Sequence, residues 1–192
     1  MSFFDGFARA EPAPEPAQPP PPRWLKPEEV LGGSVAAEFL LARGEGAAVG
    51  LGGIVGYPEG FTFAVTAVLR EEDRHGRLYH EAFHHDLGGA GPVPPGFLRV
   101  GVLFADGKAV SNVGGHPDLP WDAEPPGPLL MSDRGGGGGR RYGMSYWVWP
   151  LPPEGPVTFV CEWPARGIGE SRVEIDAALI REAAGRAIEL GQ

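Results

Sequence analysis

Phe61-Thr62-Phe63-Ala64-Val65-Thr66-Ala67-Val68-Leu69-Arg70 decides the fold class. Phe61, Phe63, Val65, Ala67 and Leu69 fall on one side of an extended chain, with Thr62, Thr66 and Arg70 on the other. A period of two over ten residues is the mark of a strand with one buried face. Ahead of it runs Ala47 to Tyr57, and Pro58-Glu59-Gly60 lies between them as a tight turn, with Pro suited to the first central position. The two runs are expected to form a hairpin. Gly50, Gly52, Gly53 and Gly56 in the first run point to bulges or close backbone contact.

Working outward, the same grammar recurs. Ser34 to Arg43 reads as a strand, as do Phe97 to Phe104 and Lys108 to Val113, which Asp106-Gly107 joins as a hairpin signal. Leu129 to Asp133, Ser145 to Trp149, Val157 to Trp163 and Ser171 to Ile175 follow. Asp176 is placed to cap a helix over 176–190, with Leu179, Ile180, Ala183, Ala184, Ala187 and Ile188 on its apolar side and Glu182 and Arg186 as an exposed pair. The expectation is a mainly β protein: an antiparallel β-sandwich of about eight or nine short strands with one C-terminal α-helix. It forms a single domain over residues 25–192.

Residues 1–24 read differently. Glu11 to Pro22 (EPAPEPAQPPPP) is a polyproline-type spacer that cannot build a core, so the segment is expected as a disordered Phe/Pro-rich arm. Phe3, Phe4 and Phe7 at its far end suit a docking peptide; the plainer alternative is a terminus that packs loosely on its own domain.

Composition narrows the function. Of 192 residues, 31 are Gly and 22 Pro, and the formal charge is −9. An acidic chain whose one basic pair of note is Arg140–Arg141 does not suit general nucleic-acid binding, which needs clustered cations. The single cysteine, Cys161, excludes an internal disulfide framework. The first residues lack a cationic start and an apolar stretch, and no run is long enough to span a bilayer. A cytoplasmic protein with no membrane insertion is expected.

Several motifs bear on chemistry. His80-Glu81-Ala82-Phe83-His84 matches H-E-x-x-H: on a helix the two histidines share a face and can hold zinc, with Glu81 as general base. His75 and His85 are further potential ligands. The extended form fails, because Leu87 stands where Gly is required. Gly135 to Gly139 with Arg140 and Arg141 invites a phosphate-loop reading, but no Gly-Lys-Ser/Thr follows. The run is expected as a floppy loop that orders on a partner with help from its Arg pair. Trp147 and Trp149 share one strand face, as do Val157, Phe159, Cys161 and Trp163. Each stripe is either core or an exposed platform. No serine sits in a nucleophile elbow, and Cys161 is mid-strand without a helix N-terminus to activate it. Asp118, Asp122 and Glu124 read as turn and solvating residues.

Three stretches, Ala48 to Phe63, the glycine run with Trp147 to Pro153, and Gly155 to Ile175, together resemble a family of cytoplasmic proteins from high-GC actinobacteria. That resemblance implies no activity, ligand or catalytic residue. The functional expectation is therefore a non-catalytic interaction or binding module, an adaptor engaging another protein, without a cofactor. The alternative is a zinc-dependent hydrolase using His80, Glu81 and His84.

Overall fold

A computed structural model describes residues 20–74, 76, 78–84, 92–114 and 123–191. The elements in order are β1 (Val30–Leu31), β2 (Gly33–Ser34), β3 (Phe39–Arg43), β4 (Ala47–Tyr57), β5 (Gly60–Leu69), α1 (Leu78–Phe83), β6 (Arg99–Phe104), β7 (Ala109–Ser111), β8 (Leu129–Gly138), β9 (Arg141–Trp149), β10 (Pro156–Trp163), β11 (Ile168–Asp176), α2 (Ala177–Ala184) and β12 (Ile188–Glu189). Six strands form one sheet, in the order β2-β4-β5-β9-β8 with β3 also on β4; a second sheet runs β11-β10-β6-β7, and β1 pairs β12. Every pairing is antiparallel. The protein is mainly β, as its periodicity requires.

The alternation of β5 becomes burial. Phe61, Phe63, Val65 and Ala67 have no exposed surface, and Val157, Phe159 and Trp163 of β10 have none either. The two sheets meet where Phe63 crosses Phe159 edge-on at 5.1 Å, with Phe61 and Phe39 packed on the same ring. Each such side chain contributes about 1.5–3 kcal/mol by leaving water. Polar ties span the layers too. Asn112 accepts from the Val100 amide and donates to the Leu98 carbonyl and the Tyr146 hydroxyl. The Ser171 hydroxyl of β11 donates to the Leu41 carbonyl of β3 at 2.6 Å.

The hairpins follow their turn residues. Tyr57 pairs Gly60 across Pro58-Glu59. In the β6–β7 hairpin, Gly107 takes φ 83°, a left-handed conformation that suits glycine. The Asp106 carboxylate accepts the Lys108 amide there, and that bond holds its pKa below the ordinary value.

Twelve strands stand among the described residues against the eight or nine expected. The additional ones are the two-residue β1 and β12, and β2, which stands apart from β3 where a single run was expected. The glycine run, moreover, is not a loop: β8 extends through Gly138, and Gly135 to Gly138 pair one by one with β9. Backbone hydrogen bonds to a long partner strand order a segment that has no side chains to announce it. The helix is also shorter than 176–190. Asp176 caps it as expected, accepting from the Ala178 amide, but the helix ends at Ala184, before Gly185. Ile188 leaves it to pair with Leu31, Arg186 donates to the Ser34 carbonyl, and Leu179 is exposed rather than apolar-side core.

Helix α2 sits directly on backbone. A Cβ at Gly33 would strike the Ala183 carbonyl, and one at Gly56 would meet the Ala184 amide and the Ile180 carbonyl. Glycine at these two positions lets the helix close the sandwich between β4 and β11.

Candidate functional site

β9 sorts its side chains between two faces. Tyr142, Met144, Tyr146 and Val148 enter the core, so Arg141, Gly143, Ser145, Trp147 and Trp149 point outward from the six-stranded sheet. The outer face has two halves. At one end Trp147 is buried although it lies outside the core, covered by Tyr57 edge-on at 5.6 Å and by the segment entering from residue 20. Its indole donates to the Trp24 carbonyl, and Trp24 donates to the Ala123 carbonyl, both at 2.9 Å. Arg23 pairs with Glu59, and Lys26 stands over the Tyr57 ring. Trp147 and Trp149 are thus neither inter-sheet core nor an open platform: they are an outer layer, covered. The buried Trp149 Nε1 meets no acceptor among the described residues.

The other half is open. Rows of residues cross β4, β5 and β9 in register: Gly52 beside Ala64 and Ser145, Gly50 beside Thr66 and Gly143, Ala48 beside Val68 and Arg141. Most of these side chains are small, so the face sinks into an open groove of about 630 Å³, bordered by Leu40 and by the backbone of Phe39, whose ring turns inward to Phe159. Leu40 is 52% exposed and Val68 39%. Glu38 lies over Gly52 at one end and Arg141 stands at the other. At Gly50 and Gly143, unlike Gly52 beneath Glu38, glycine is not demanded by packing. A Cβ at Gly50 would find its nearest neighbour at 3.8 Å, and one at Gly143 at 3.5 Å, ordinary contact distances.

The H-E-x-x-H segment is a six-residue helix, α1, over the crossover between the sheets. Leu78, Ala82 and Phe83 anchor it in the core, the Leu98 amide bonds the Ala82 carbonyl at 2.9 Å, and the Asp73 carboxylate accepts both the Leu78 amide and the Tyr142 hydroxyl. Burial, and then that carboxylate, push the Tyr142 phenol above its ordinary pKa. His80, Glu81 and His84 are exposed, the two imidazoles 5.5 Å apart with Tyr79 against His84. Two imidazoles and a neighbouring carboxylate are brought together, but no group of three or more metal-ligating side chains forms among the described residues.

The remaining candidates scatter. Arg140 is bound to the Leu69 carbonyl through Nε, while Arg141 reaches the groove. Glu124 is exposed. Phe3, Phe4, Phe7, His75, His85, Asp118 and Asp122 lie outside the described residues. Cys161 is buried, and that burial pushes its thiol up to about 11. Among the described residues no helix is long and apolar enough to cross a membrane.

The groove residues Glu38, Leu40, Thr66 and Val68 carry no motif. Their signal is subtler: Ala48, Gly50 and Gly52 alternate with Val49 and Leu51, giving a strand whose outward positions are small rather than polar. Compared with family models, curated proteins and solved structures, the chain matches none.

Proposed function

We propose that the protein is a non-catalytic, cytoplasmic interaction module that receives an extended polypeptide segment of a partner protein on the outer face of its six-stranded sheet. The open groove over Gly50, Thr66 and Gly143 is the observation that carries this reading. Its floor leaves room for side chains the strand itself does not supply, and its apolar walls offer burial to an aromatic or aliphatic anchor of the partner. The net charge of −9 favours a neutral or basic partner over nucleic acid. No observation at α1 favours the hydrolytic reading over this one.

The test fills the groove. Gly50→Leu with Gly143→Leu adds two side chains where space exists, so the variant keeps its melting temperature. In-cell cross-linking followed by mass spectrometry then compares captured proteins. Partners lost from the filled variant support the proposal; an unchanged set removes the groove as the docking surface.

A further inference from the structure

Helix α1 is held from its inner side. Leu78, Ala82 and Phe83 fix that side in the core, the Asp73 carboxylate accepts the Leu78 amide at its start, and the Ala82 carbonyl accepts the Leu98 amide near its end. His80 and His84 therefore project from a seated helix, four residues apart and both exposed. The Tyr79 ring packs edge-on against the two imidazoles, at 5.8 and 4.8 Å, and limits their rotation. We propose that His80 and His84 form a two-histidine site for a divalent ion of the zinc, nickel or copper class, which clips the last turn of α1. The site is independent of the docking groove.

Spacing and chemistry agree. Two imidazole nitrogens at about 2.0–2.1 Å from one tetrahedral ion set their ring centres about 5.2 Å apart. The His80 and His84 rings stand 5.5 Å apart, so small side-chain rotations bring them to an ion without moving the helix. Neutral imidazole suits zinc, nickel and copper(II), whereas calcium and magnesium take oxygen donors. A hydrolytic zinc site needs three protein donors; holding an ion here needs only the pair, with water in the remaining positions. Carrying both ligands on one turn makes the second bond intramolecular, which raises affinity about a hundredfold over a single imidazole. The clip adds what the local chain lacks, because a helix of six residues is well below the length that persists by itself.

The chain has five histidines, so the test isolates two. A tag-free full chain with His75→Gln, His85→Gln and His116→Gln keeps only the pair. Calorimetry is expected to show one zinc ion bound per chain, and about a hundredfold weaker binding when His80→Gln or His84→Gln is added. Both side chains are exposed, so the melting temperatures without zinc should match. The His84 amide, which donates to the His80 carbonyl at 3.0 Å, reports the clip. At ten times the half-saturating zinc concentration its hydrogen exchange should slow about tenfold. Binding that keeps its strength after either substitution, or that calcium matches, overturns the site and assigns the ion to the acidic surface. Loss of binding in the chain that keeps only the pair overturns it too, because the ion then belongs to the other histidines. Zinc that binds while the His84 amide exchanges at its former rate overturns the clip.

Discussion

Gly50 and Gly56 lie on one strand, β4, and face opposite layers. At Gly56 the missing side chain is required, because the backbone of α2 occupies its place. At Gly50 it is not, because a Cβ there meets nothing nearer than 3.8 Å. The bulge between Gly52 and Val55 separates the two stretches, so glycine turns inward to the helix at one end of the strand and outward to an open surface at the other. The contrast teaches that glycine in a strand carries two separable meanings: close approach within the fold, and room left for something outside it.

The contrast is breakable. Gly56→Val forces a branched side chain into helix backbone, and overpacking of that kind is expected to cost about 3 kcal/mol. Urea denaturation measures it, and a neutral result would mean that α2 is not seated on that residue. The burial of Cys161 can be read through pH. Burial pushes the Cys161 thiol up to about 11 from 9.0, so below pH 9 the thiol is protonated in folded and unfolded chains alike. As pH rises through that interval only the unfolded chain ionises, and stability falls, by at most roughly 2–3 kcal/mol. Cys161→Ala should flatten that part of the profile; a slope unchanged by the substitution would place water against the inner face of β10. The smallest effect belongs to the outer face. Gly50→Ala should shift stability by less than about 1 kcal/mol, in the stabilising direction, because it restricts the unfolded chain without meeting an obstacle. Clear destabilisation would make the groove glycine structural and erase the distinction.

Side-chain periodicity made much of this legible in advance. Phe61 to Leu69 announces both the strand and its buried face, and Pro58-Glu59 and Asp106-Gly107 announce their hairpins because each turn imposes local backbone geometry. The failures share a cause, pairing between distant segments. Gly135 to Gly138 has no side chains from which to read alternation, and only β9 makes it a strand. Ala187 and Ile188 continue the helical apolar pattern of α2, yet Ile188 pairs with Leu31 on the far side of the chain. The candidate site was less legible. His80 to His84 forms a recognisable string whose meaning depends on a third donor and a cleft, neither of which spacing can supply. The groove was half visible: the glycines of β4 promise a bulge or a close approach, true of Gly53 and Gly56, while Gly50 serves a surface that only β5 and β9 complete.

The pairing of β1 with β12 brings Glu29 and Leu190 together, the Leu190 amide bonding the Glu29 carbonyl at 2.8 Å. The first and last strands thus meet at one seam. A short linker across it would turn the body into a ring, and the exposed Asp106-Gly107 turn offers a place to open that ring elsewhere without cutting a strand. The same architecture would then begin at β7 and end at β6, freeing the entry segment at Trp24 from its position at the head of the chain.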